Sequence, residues 1–287
     1  MAIATWCWIL HVRLHICERT KLMAMPAAVL EYNLDTDNVV ASGVSFSDEQ
    51  LDELLAGPVK DILLDTTGKQ ELEELLTGLA TTDFANTELQ KVLEEEHVFE
   101  DWLVGEAIAE AFTIEVGSCF YPWPTSRDLK NPNASPAGCD LTGFQPVPGG
   151  QEYRFSFGEV KTSYDQNSPP SVMTSLGLQL FNLRDDKIVK SGLVKYLARH
   201  AIGKDWANKF KSAAARYLQS QGSDIAIYGI LVRDTTPKVA DIRKKAQALS
   251  NDCPGLTSIA LYAIYLPENV IRQLPELAAQ AIGRGQE

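Results

Sequence analysis

Several familiar signatures are missing from this chain of 287 residues. Its five cysteines, Cys7, Cys17, Cys119, Cys139 and Cys253, are odd in number and form no CxxC pair or Cys/His cluster, which argues against a disulfide framework or a zinc site. A reducing cytoplasm is the expected setting. No apolar run reaches the ~18 residues of a membrane span, because Arg13, Glu18, Arg19 and Lys21 break up the hydrophobic opening. That opening also has no basic residue ahead of its apolar run and no small-residue cleavage site after it, so it does not read as a signal peptide. Residues 1–30 are read as an N-terminal extension with two interpretations, a start assigned upstream of Met23 or Met25, or an N-terminal strand. No GxxxxGK[ST] loop occurs, which excludes a P-loop nucleotide-driven motor. No Ser/His/Asp arrangement is there to recruit His200, which reads as a helix-terminal residue favoured by the dipole.

Charge is present but unevenly placed. The net charge is −12, yet residues 31–118 hold 22 Asp and Glu against Lys60, Lys69 and Lys91, whereas residues 119–287 hold 20 Lys and Arg against 15 acids. Within the second part, residues 184–216 concentrate Arg184, Lys187, Lys190, Lys195, Arg199, Lys204, Lys209, Lys211 and Arg216 against three aspartates. Such a block can neutralise phosphates, and equally it can be a solvated helix face.

Periodicity organises the rest. Ser47 caps a helix carrying Leu51, Leu54 and Leu55 up to Gly57, "KDILLD" suits a short strand, and two further amphipathic stretches follow, the second broken near His97. Residues 31–98 thus form an acidic, mostly helical region ahead of an α/β domain over 99–287. In that domain "GCDLTGF" and "YRFSFGEVKTS" pair across the turn-forming "QPVPGG". Helices over about 171–183, 186–201 and 204–220 follow, then the buried strand "DIAIYGILVRD", a helix at 237–249, the strand "TSIALYAIYLP" and a last helix. The expected fold is α/β, a mixed sheet flanked by helices.

The hairpin carries the chemistry. Side chains alternate along a strand, so Glu159 and Lys161 project to one side while Val160 packs on the other. With Asp140 on the neighbouring strand, two carboxylates repel in a semi-apolar setting unless a cation intervenes. Hard oxygen ligands suit magnesium or manganese. Lys161 is then the amine that orients or deprotonates water for attack on phosphorus. The bland reading of Glu159 and Lys161 is an edge-strand ion pair of little energetic consequence.

Gly138-Cys139-Asp140 followed by Gly158-Glu159-Val160-Lys161 resembles the PD-(D/E)XK nuclease superfamily, the restriction-endonuclease-like fold, over roughly residues 99–266. The resemblance implies metal-dependent cleavage of DNA or RNA, with Asp140 and Glu159 as ligands to Mg2+ or Mn2+, Val160 as a further metal position and Lys161 as the catalytic lysine. Glu106, on the preceding helix, resembles the family's additional acidic residue. Gln179 resembles the glutamine that some exonuclease-like members place near the lysine, although their accompanying tyrosine is missing. Ala137-Gly138-Cys139 stands where the family name has proline. The resemblance further implies a subunit of a bacterial antiviral system, a class that includes the Hachiman type, working with a helicase or ATPase, or else a restriction-like or repair-like enzyme. The alternative is a non-catalytic α/β binding protein whose acidic helices dock a partner. Trp123 and Tyr121 read as core anchors or as platforms for a splayed base, and Cys139 as core filler.

Overall fold

A computed structural model describes residues 24–34, 36, 39–79, 82–93, 99–128 and 138–284. Most of the residue 1–30 extension, including Met23, and the helix break near His97 lie outside them. Strands β1 (Val29–Leu34) and β2 (Val39–Ser45) come first, followed by helices α1 (Asp48–Leu54), α2 (Lys60–Leu63), α3 (Thr66–Leu76), α4 (Asp83–Leu93) and α5 (Asp101–Gly117). The hairpin strands β3 (Leu141–Pro146) and β4 (Tyr153–Ser163) precede α6 (Met173–Asp185), α7 (Lys187–His200) and α8 (Ala207–Gln219). The chain then alternates through β5 (Ile225–Arg233), α9 (Ala240–Ser250), β6 (Ser258–Tyr265) and α10 (Leu274–Gly283).

The strands form one mixed sheet in the order β1-β2-β6-β5-β4-β3. The four central strands are parallel, and β1 and β3 run antiparallel at the two edges. One face is covered by α1, α2, α5 and α10 around Leu54, Ile108, Phe112 and Ile230, the other by α6 to α9 around Leu180, Ile227, Ile242 and Leu261. Every residue of β5 is buried, which explains its unbroken apolar sequence. No helix among the described residues is long and apolar enough to cross a membrane.

Local signals act where they were expected at α1. Ser47 Oγ accepts from the Gln50 backbone N–H at 3.3 Å, and Gln50 Oε1 accepts from the Ser47 N–H at 2.8 Å, a complete capping box. "KDILLD" is a correction, because α1 runs through a π-helical turn over Leu55–Val59 into α2 instead of a strand. Val59, Ile62 and Leu63 bury into the same core as Leu51 and Leu54, which a continued helical path satisfies without a further sheet position. Strands β1 and β2, in turn, were not anticipated.

Candidate active site

The site begins where the hairpin ends. The β3–β4 ladder runs from Pro146↔Tyr153 to Leu141↔Gly158 and stops there, while β4 continues to Ser163 paired with β5 alone. Beyond Gly158 no strand among the described residues pairs with the outer edge of β4. Asp140 fills the first gap: its Oδ2 accepts from the Val160 backbone N–H at 2.7 Å, standing in for a ladder carbonyl. The N–H and carbonyl of a strand residue point to the same edge, so the Val160 carbonyl also belongs to the edge facing Asp140. Gly138, with φ of +123°, makes the turn into this position in a conformation closed to other residues.

Glu159 and Lys161 lie on the side of β4 that also carries Phe157, and Val160 points the other way, into the α5 core. The Lys161 ammonium stands 3.7 Å from Asp140 Oδ2 and 3.6 Å from Glu159 Oε2, so one cation bridges the two carboxylates. Glu106 approaches from α5 on the opposite face and joins them electrostatically across the uncovered edge. Its helix can come close because Gly105 has no side chain; a Cβ there would sit 1.9 Å from Thr162 Oγ1 on β4.

Burial sets the electrostatics. Glu159 is 3% exposed and Glu106 8% exposed. Desolvation, followed by repulsion from Asp140, pushes the Glu106 carboxyl up to about 9, with Lys161 pulling it down and Glu159 and Glu110 adding repulsion. The same two causes in the same order push Glu159 up to about 8, again opposed by Lys161. Glu106 Oε2 and Glu159 Oε2 are buried without a hydrogen-bond partner, an arrangement native structures keep for a purpose. Glu110, one turn beyond Glu106 and 2% exposed, is an acidic neighbour that the sequence reading passed over. The i,i+4 spacing in "GEAIAEA" was its signal.

Among the described residues, no group of three or more His, Cys, Asp or Glu side chains stands ready to hold a metal. Asp140 and Glu159 are instead bridged by the Lys161 ammonium. The donor set nevertheless fits a hard divalent ion: buried carboxylate oxygens, two of them without a hydrogen bond, with the Glu106 and Glu159 carboxyls raised in pKa first by burial and then by the charge of Asp140.

The remaining sequence candidates divide. Gln179 lies on α6, with its Oε1 buried and unpartnered. Tyr121 is a core anchor, 1% exposed, its hydroxyl donating to Thr113 Oγ1 at 3.0 Å. Cys139 is buried, its thiol pushed up to about 12 by desolvation, as a packing residue should be. The basic block is partly consumed by the fold. Lys190 is buried and donates to the carbonyls of Arg184 and Gly222. Arg184 binds Asp185 and the carbonyls of Leu249 and Asn251. Arg216 pairs with Glu152 and Asp224, and Lys204 with Glu71. Lys187, Lys195, Arg199 and Lys211 have no acidic partner among the described residues and form the cationic surface that is left. No known protein family and no curated protein matches this chain.

Proposed function

We propose that the protein is a metal-dependent nuclease hydrolysing phosphodiester bonds in DNA or RNA, built on the restriction-endonuclease-like plan of a helix, a hairpin and a parallel strand beside it. The observation that carries the reading is the bridging of Asp140 and Glu159 by Lys161 at the uncovered edge of β4. A surface ion pair would not need a second carboxylate, nor a third from α5 within electrostatic reach.

Asp140, Glu159 and the Val160 carbonyl would hold Mg2+ or Mn2+, with Glu106 as an additional acidic ligand. The bound ion would polarise the phosphodiester and stabilise the leaving oxygen. Asp140 is oriented by its hydrogen bond from Val160, and so is held before substrate arrives. Lys161, displaced from its bridging position, keeps an ammonium within reach of the attacking water and of the phosphate charge. Exposed Lys187, Lys195 and Arg199 of α7 and Lys211 of α8 attract the nucleic-acid backbone, which makes binding depend on salt.

The test is cleavage of a panel of single- and double-stranded DNA and RNA with magnesium, manganese or chelator. Wild type should cut only with metal, and Lys161→Met should lower the rate by about 100-fold or more. Undiminished cleavage by Lys161→Met, or metal without effect on either activity or melting temperature, would leave the non-catalytic binding protein as the better reading.

A further inference from the structure

The outermost part of the hairpin-side core is a chain of aromatic rings that begins buried and ends in solvent. Phe144, fully buried on β3, packs against Trp206 at 5.7 Å between ring centroids, and Trp206 against Trp123 at 5.8 Å. Trp123 then meets Tyr196 at 5.9 Å and His200 at 4.9 Å, and the last two lie 4.5 Å apart on successive turns of α7. Phe144 and Trp206 already anchor the hairpin. The outer three rings are half-buried or, for His200, exposed, so they add little to that anchoring.

Three features give this cluster the properties of a binding surface. The His200 ring is fixed, because its Nδ1 lies 2.9 Å from the Tyr196 carbonyl. Lys195 and Arg199, each one residue before a ring of the pair, are exposed together along one side of the Tyr196–His200 row, on a helix with no Asp or Glu of its own. The cluster also adjoins the catalytic segment: Leu193, one turn before Tyr196, lies 3.7 Å from where a Cβ on Gly138 would stand, two residues ahead of Asp140. Pro124, next to Trp123, lines a small pocket together with Glu106 and Glu110.

We propose that His200, backed by Trp123 and Tyr196, is the platform on which an unpaired nucleobase stacks, with Lys195 and Arg199 holding the adjoining phosphates, so that the substrate strand reaches the site single-stranded. Aromatic faces accept any base, and cations beside them follow the backbone. A duplex keeps its bases stacked on one another and offers this platform no free face. The proposal rests on the nuclease reading only for what happens after the strand is bound.

Fluorescence anisotropy with labelled dT20 and rU20, against a blunt duplex of equal length, tests it in the full chain carrying Glu159→Gln to prevent cleavage. The single strands should bind more tightly than the duplex. Adding His200→Ala should weaken single-strand binding by about fivefold to a hundredfold, the range of one lost base stack, and leave duplex binding unchanged. His200→Phe, which keeps a ring in place, should retain the affinity. Equal single-strand binding with and without His200, or duplex bound as tightly as single strand, would overturn the platform. Cleavage by the chain with native Glu159 is scored separately. A His200-sensitive single-strand binder that never cuts would sink the nuclease and leave the platform standing.

Discussion

Replacing Glu159 with glutamine should make the metal-free protein more stable while removing its activity. In the folded state the Glu159 carboxyl is pushed from 4.5 to about 8 by burial and by Asp140. A raised carboxyl binds its proton more tightly folded than unfolded, so folding stability is greatest below about pH 4.5 and falls as pH rises through about 8. At about 1.4 kcal/mol per unit, that displacement withholds on the order of 5 kcal/mol from the protein above pH 8. Glutamine matches the shape and carries no charge, so it escapes that loss, which is already net of the attraction of Lys161 at 3.6 Å, but it buries an amide where the carboxyl oxygen had no hydrogen-bond partner, which costs about 1 to 3 kcal/mol. The net gain at pH 8.5 in chelator should be about 2 to 3 kcal/mol, or some 4 to 6 °C of melting temperature at roughly 2 °C per kcal/mol for a chain of this size. At pH 5 the difference should shrink. Magnesium at a hundred times its dissociation constant should stabilise wild type by about 2.7 kcal/mol and release protons as it does so, and Glu159→Gln should lose most of that response. The assay is thermal melting of both proteins from pH 5 to 9, with magnesium and with chelator. A metal-free Glu159→Gln protein that melts below wild type at pH 8.5 would refute the electrostatic argument.

Two other perturbations test how the site is held. Gly105→Ala should cost about 1 to 3 kcal/mol by overpacking α5 against β4, since its Cβ would fall 1.9 Å from Thr162 Oγ1; it should slow cleavage by moving Glu106, and adding Thr162→Ala should recover part of both, whereas a neutral Gly105→Ala would disprove the close approach. Arg233, buried at the end of β5, pairs with Asp241 at 2.6 Å and donates to the Asp165 carbonyl at 2.6 Å in the loop that follows β4. Arg233→Met should cost about 3 to 5 kcal/mol by leaving the Asp241 carboxylate buried with its hydrogen bonds from Tyr265 and Ser168 but no counter-cation, and combining it with Asp241→Leu should cost less than the sum in a denaturant double-mutant cycle; simple additivity would contradict the pairing.

Much of this architecture could be read from residue order. The hairpin, the two buried strands and the helices after the motif all have periods or turn residues that single them out, and the structure places their ends within about three residues of the expected ones. The edge strand β1 and its neighbour β2 were not legible. Ala41, Ser42 and Gly43 carry little strand preference, and β2 is held by β6, more than 200 residues away, through seven parallel pairs. "KDILLD" failed for the opposite reason, since a short apolar run has no period long enough to separate helix from strand. At the site, the same-side placement of Glu159 and Lys161 follows from alternation alone. What the sequence could not supply is the split of β3 from β4 that turns Asp140 onto Val160, because that depends on where a ladder stops. The basic block misled in part, as Lys190 and Arg184 spend their donors on helix-end carbonyls.

The carboxylate at position 140 completes a strand pairing that stops at Leu141↔Gly158. On the proposed nuclease reading, zipping the two strands into alignment and assembling the site would therefore be one event. A slipped hairpin would present Glu159 to a different neighbour and would lack the bond between Asp140 and the Val160 N–H.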